Sequence, residues 1–166
     1  MKPRIIVLEG MDSTGKSTLA RYLAAHFDAV LLHASGNKAF HGIMEVYHQD
    51  LLTQAEHNLK IGRSVIMDRH WPSEFCYGRT LRPVQVKYDF NAMNEKMQEL
   101  EATYVFCKST GSYPKHLETH SKLEQYPEEK YFSILSEYNL LFDTIPHVKY
   151  SLEEHGLELL TFAKSL

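Results

Sequence analysis

The sequence predicts an α/β fold, a three-layer sandwich built on a parallel sheet of about five strands. Three observations carry this. Short apolar, β-branched runs alternate with segments of helical period; those segments are long enough for crossovers between parallel strands; and a glycine-containing loop joins the first strand to the first helix. The chain has 166 residues, and about 150 per domain is usual, so residues 1–166 are expected to form a single domain with its own core.

Each element has its own signal. Ile5 to Leu8 is a short buried strand, and Ser17 to Phe27 is a helix in which Leu19, Tyr22, Leu23 and Phe27 recur at helical spacing. Ala29 to His33 is a second strand, left through Ser35-Gly36-Asn37. From Lys38 to Lys60 the apolar residues keep helical period, with Gly42 interrupting the start and Gly62 ending it. Ser64 to Met67 is a third strand terminated by Asp68, and a helical stretch follows Pro72. Arg82-Pro83 breaks that stretch before a helix at about Lys87 to Leu100, and Ala102 to Cys107 is a fourth strand. The polar segment 108–126, with Gly111 and Pro114, reads as a mobile lid or a broken helix. Pro127 opens a helix carrying Tyr131, Ile134, Tyr138 and Phe142; His147 to Tyr150 is a weaker fifth strand; a last helix runs from about Leu152 to Ala163.

Composition narrows the function class. Lysine and arginine number 18 against 21 acidic residues, a net charge of −3, so nothing demands a nucleic-acid partner, although a local basic patch is compatible with that sum. The apolar start ends at Glu9, too early for a signal segment, and no run approaches the ~20 apolar residues of a membrane span. Two cysteines, Cys76 and Cys107, cannot build a disulfide framework and fit a reducing, cytoplasmic setting. Small molecules are therefore the expected partners, with a homodimer admitted and no membrane.

Ligands of parallel sheets sit at the carboxyl ends of the strands. There Gly10-Met11-Asp12-Ser13-Thr14-Gly15-Lys16-Ser17 fits G-x-x-x-x-G-K-[ST] in full, between a strand and a helix as the motif requires, and Thr18 extends it. The two glycines let the backbone wrap, its N–H groups point inward, and the helix dipole adds positive charge. Lys16 reaches the β- and γ-phosphates of ATP, and the Ser17 hydroxyl can ligate Mg²⁺. Asp68, ending the third strand, supplies a second magnesium ligand, its plainer reading being a helix cap. Arg69 follows, a planar fork suited to phosphate, unless it is merely a surface arginine.

A GTPase would need an N/T-K-x-D stretch, and the fourth strand exits instead through Lys108-Ser109-Thr110-Gly111. Glu9 to Thr18 together with Asp68-Arg69-His70-x-x-Ser73-x-x-Cys76-Tyr77 resembles the thymidylate kinases, whose patterns are E-G-x-D-x-x-G-K-S-T and D-R-Y/H-x-x-S-x-x-A-Y-Q. That resemblance implies a P-loop nucleoside monophosphate kinase core using ATP and Mg²⁺, with a helical lid over the transferred phosphate. A carboxylate inside a phosphate cradle is repelled by a triphosphate, so Asp12 should face the second substrate. By resemblance it contacts the acceptor sugar; the plainer reading is a carboxylate favoured by the helix dipole. Tyr77 matches the family tyrosine, and Trp71 is a candidate to stack on the acceptor base, although most of these rings will be core.

The chain departs from that family in three places. Gly78 replaces a glutamine, Lys38 stands where the family tends to place an arginine for the acceptor phosphate, and no arginine occurs after Arg82. The lid must then rely on Lys115 or Lys122, or leave the task to Arg79 or Arg82. The leading expectation is γ-phosphoryl transfer to a pyrimidine deoxynucleoside monophosphate. The alternatives are a nucleoside kinase, with Asp12 or Asp68 as base, and a kinase of a hydroxymethyl-modified base in a nucleotide or in DNA, as in some viral thymidylate kinase-like proteins. An ATP-binding switch is the non-enzymatic alternative.

Overall fold

The computed structural model describes residues 2–35, 42–82, 87–108, 113, 118, 125–155 and 158–166. Five strands, β1 (Ile5–Glu9), β2 (Val30–His33), β3 (Val65–Asp68), β4 (Thr103–Cys107) and β5 (His147–Tyr150), form one sheet in the order β2-β3-β1-β4-β5. Every pairing is parallel, with Ile5 opposite Val65, Ile6 opposite Thr103, Val30 opposite Val65 and Tyr104 opposite His147. The three central strands read as unbroken apolar runs because both faces are covered.

Successive residues of β1 serve opposite layers. Ile5 and Val7 join Met67 and Phe106 against α2 (Met44–Lys60), α5 (Phe90–Glu99) and α6 (Glu128–Phe142). Ile6 and Leu8 join Ile66 and Val105 against α1 (Lys16–His26) and the C-terminal α8 (Leu159–Ser165). Leu19 and Leu23 of α1 are fully buried, each contributing roughly 1.5–3 kcal/mol of apolar transfer. Short pieces complete the inventory: α3 (Trp71–Ser73), a π-helical turn (Glu74–Gly78), α4 (Arg79–Leu81) and α7 (Leu152–His155).

The expected three-layer α/β sandwich is what forms. The single last helix expected over 152–163 is instead two pieces, with Leu152–His155 closed by the Glu158 N–H donating to the His155 carbonyl before α8 starts. The helix expected from Lys38 is described only from Met44. Strands β1 and β3 each run one residue beyond the apolar run, into Glu9 and Asp68, because the ladder continues through them. Lys38, Lys115 and Lys122 lie outside the described residues, as does most of 108–126. Among the described residues no helix is long and apolar enough to cross a membrane.

The chain leaves β1 through α1 toward β2 on one side and later returns to β4 on the other. The sheet therefore switches direction beside the carboxyl end of β1, where an open α/β sheet places its ligand crevice.

Candidate active site

The loop from Gly10 to Gly15 wraps at the carboxyl end of β1. Gly10 adopts φ 136°, and a Cβ there would sit 2.3 Å from the Cys107 carbonyl oxygen, so the close approach of β4 admits only glycine. Ser13 (φ 62°) and Gly15 (φ 81°) are also left-handed, and Gly15 caps α1 without a side-chain bond. The first N–H groups of α1 thus stay directed into the loop, the arrangement an anion uses.

Lys16 is buried. Its Nζ donates to the Met11 carbonyl and, at 3.2 Å, to Thr14 Oγ1, which itself donates to the Met11 carbonyl at 2.9 Å. Burial first, and the Arg69 charge second, bring its pKa down to about 8. Ser17 Oγ donates to Asp68 Oδ2 at 2.8 Å, across the gap between α1 and β3, and His33 Nδ1 lies 3.2 Å from the same oxygen. Burial works to raise the Asp68 pKa, but hydrogen bonds from His33 and Ser17 prevail and hold it below the usual range. Oδ1 of Asp68 is buried with no hydrogen-bond partner among the described residues. A hydroxyl joined to a carboxylate with one oxygen unpartnered fits a magnesium ion well. No cluster of three acidic, histidine or cysteine side chains occurs among the described residues, so such an ion would keep most of its waters.

Asp12 and Arg69 form the other half of the site. Arg69 is held at φ 72° after β3, its N–H bonded to the Leu8 carbonyl at 3.0 Å. Its Nη2 donates to Asp12 Oδ1 at 2.5 Å, while Nη1 reaches the Gly10 carbonyl (3.2 Å), Ser73 Oγ (2.9 Å) and Tyr138 Oη (3.2 Å). The guanidinium also lies 5.2 Å from the centre of the Tyr77 ring. Asp12 receives in addition the Tyr126 hydroxyl on Oδ2 at 3.2 Å, and its own N–H donates to Tyr77 Oη at 3.2 Å.

The structure therefore brings Gly10, Met11, Asp12, Ser13, Thr14, Gly15, Lys16, Ser17, Asp68, Arg69 and Tyr77 together, with Thr18 one residue further into α1. Trp71 is a correction: it is 3 % exposed, packs beside Phe75 and Phe90, and donates its ring N–H to Tyr104 Oη at 2.9 Å. Its ring belongs to the core rather than to a base. Arg79 and Arg82, the substitute cations, are engaged in ion pairs, Arg79 with Glu137 at 3.7 Å and Arg82 in a two-pronged pair with Glu74. Three participants were not among the residues singled out from sequence, His33, Tyr126 and Tyr138, and Glu9 entered only as the first residue of the E-G-x-D pattern, with no role given to it. A carboxylate ending an apolar strand at the head of that pattern was the signal for a role of Glu9; Tyr138 shares the apolar period of α6 and carried none.

No family model matches this chain, and no curated protein is similar to it in sequence. Solved structures are similar in fold. The YorR protein of Bacillus subtilis, in complex with phosphorylated GDP, superimposes with a TM-score of 0.71 at 19% identity, covering 97% of this chain and 92% of that one. Thymidylate kinase from Ehrlichia chaffeensis gives 0.61 at 14% identity, covering 98% and 99%. Deoxyadenosine kinase from M. mycoides with bound dATP gives 0.59 at 13% identity, covering 98% and 100%. The fold is that of the P-loop nucleotide kinases. Thymidylate kinase and deoxyadenosine kinase share that fold with this chain.

Proposed function

We propose that this protein is a kinase, a single domain over residues 1–166, that transfers the γ-phosphoryl group of ATP with Mg²⁺ to a deoxynucleoside monophosphate, a pyrimidine such as thymidylate. The observation that supports this best is the state of the carboxylates beside the cradle. Glu9 is sealed in the core, Asp68 is aimed at Ser17, and Asp12 is engaged by Arg69 and Tyr126. A hydroxyl acceptor needs a general base, whereas a phosphate oxygen is already anionic and needs only positioning and charge.

In this reading Lys16 exchanges its bonds to the loop for the β- and γ-phosphates, and the inward N–H groups of the cradle hold the rest of the triphosphate. Ser17 and Asp68 would hold Mg²⁺, which when bound offsets phosphate charge. Arg69 binds the acceptor phosphate, with Lys38 as a second cation from outside the described residues, and Asp12 and Tyr77 meet the acceptor sugar. An oxygen of the acceptor phosphate forms the new bond to the γ-phosphorus as the bond to the β-bridging oxygen breaks, leaving ADP and a nucleoside diphosphate.

A second reading has support of its own. Both ends of the Arg69 fork already meet protein acceptors, and Asp12 lies against it, an arrangement also suited to a nucleoside hydroxyl with Asp12 as base. Incubation of the protein with labelled ATP, Mg²⁺ and a panel of monophosphates, nucleosides and hydroxymethylated DNA separates the two. Label in a nucleoside diphosphate is expected; label entering nucleosides or DNA faster than every monophosphate rejects the leading reading.

A further inference from the structure

Glu9 stands outside the transfer chemistry, yet its side chain is fully buried beside the site. Its carboxylate accepts on both oxygens, Oε1 from the His70 N–H at 2.6 Å and Oε2 from Ser73 Oγ at 2.6 Å and Tyr138 Oη at 3.3 Å. A serine hydroxyl has one proton; with it turned toward Glu9, the lone pairs of Ser73 face Arg69 Nη1 at 2.9 Å. Tyr138 Oη stands 2.8 Å from Ser73 Oγ, so its proton too goes to Ser73 or Glu9 and its lone pairs remain for Arg69 at 3.2 Å. The His70 N–H fixes the residue after Arg69, at the exit of a left-handed turn. One carboxylate thereby governs both the backbone that presents Arg69 and the acceptors that aim its side chain.

We infer that Glu9 is a positioning residue, acting through the Ser73 and Tyr138 hydroxyls to hold the Arg69 guanidinium at the acceptor side of the site. This rests on the reading of Arg69 as the acceptor-phosphate residue. A glutamine at this position must turn its NH₂ either against the His70 N–H, donor to donor, or against the two hydroxyls, whose protons are then driven toward Arg69. Burial pushes the Glu9 pKa up to about 7 against the pull of Arg69, Ser73, the His70 N–H and Lys16, so the test is run at pH 8, where the carboxylate is ionised.

Steady-state kinetics of Glu9→Gln, Arg69→Ala and the double variant should show the acceptor KM raised at least tenfold by Glu9→Gln with the ATP KM unchanged. In the Arg69→Ala background Glu9→Gln should add nothing. Equal rises in both KM values, or multiplicative effects in the double variant, overturn the inference. If Glu9→Gln does not fold, the Ser73→Ala/Tyr138→Phe pair carries the test, and a wild-type acceptor KM there overturns it. Should the wild type phosphorylate no monophosphate, the proposed function fails, and the ¹⁵N resonances of the Arg69 side chain still decide the positioning role. Distinct Nη signals in the wild type that merge in the variant support it; unchanged signals reject it.

Discussion

Lys16 is held as a buried cation. With its pKa brought down to about 8 by burial and by Arg69, it is protonated at pH 7 and loses its charge well below the pH at which an exposed lysine does. ATP affinity, followed with a fluorescent analogue, should be flat up to about pH 8 and weaken above it, by as much as tenfold per unit. Lys16→Ala should bind weakly at every pH with no such break. A break at the same pH in that variant would assign the titration to another group.

Glu9 costs stability as its carboxylate ionises. Its folded pKa, about 7, lies above its ordinary value of 4.5, so the folded state holds a proton that the unfolded chain has released. Glu9 therefore costs nothing below about pH 4.5, and its penalty grows with rising pH to about 3 kcal/mol near pH 7. Denaturant titrations of the wild type and Glu9→Gln should diverge in that window, the wild type losing stability relative to the variant as pH rises. Parallel curves would place the Glu9 pKa in the normal range.

Among the elements, the turn after β1 is the most sharply specified. Gly10 and Gly62 both have positive φ, 136° and 83°, but a Cβ at Gly62 would meet open space while one at Gly10 would strike the Cys107 carbonyl. Gly62→Ala should cost about 1–2 kcal/mol, the ordinary left-handed strain, and Gly10→Ala about 3 kcal/mol or more because β1 and β4 must separate. Equal costs in thermal denaturation would mean that β1 and β4 part without resistance.

Elements were legible where one local pattern decides them. Strands β1, β3 and β4 are continuous apolar runs because parallel central strands are buried on both faces, and the P-loop and Asp68-Arg69 are short spacings at strand ends. What the sequence hid depends on distant partners. The π-helical turn Glu74–Gly78 has no periodic signature, and it sits where Ser73 and Tyr77 both turn toward the site. Trp71 looked like a stacking platform because its partner Tyr104 is on β4, 33 residues away, and Tyr138 reaches Glu9 across 129.

For the whole molecule, the cradle, the Ser17–Asp68 pair and the Asp12–Arg69 pair meet at the switch in strand order, so ligands there bridge α1, β1, β3 and the helical run after it. Ligand binding should consequently stabilise the entire fold. At 100 times its Kd, ATP with Mg²⁺ adds about 2.7 kcal/mol, which for a chain of this size raises Tm by roughly 5–10 °C. Asp68→Asn should retain the shift given by ATP alone and lose the increment given by magnesium; an undiminished magnesium increment would reduce Asp68 to a structural cap.

The central claim is that the acceptor arrives already phosphorylated. A monophosphate offers Arg69 and Lys38 charge-assisted contacts worth roughly 1.5–3 kcal/mol each, which a nucleoside lacks, so discrimination should exceed tenfold per contact. The direct measurement is a competition: equimolar thymidine and thymidylate, limiting γ-labelled ATP, and the ratio of labelled diphosphate to labelled monophosphate in the wild type and in Arg69→Ala. The account predicts a ratio above ten in the wild type and its collapse in the variant. Label accumulating in the monophosphate, with a ratio indifferent to Arg69, would contradict it.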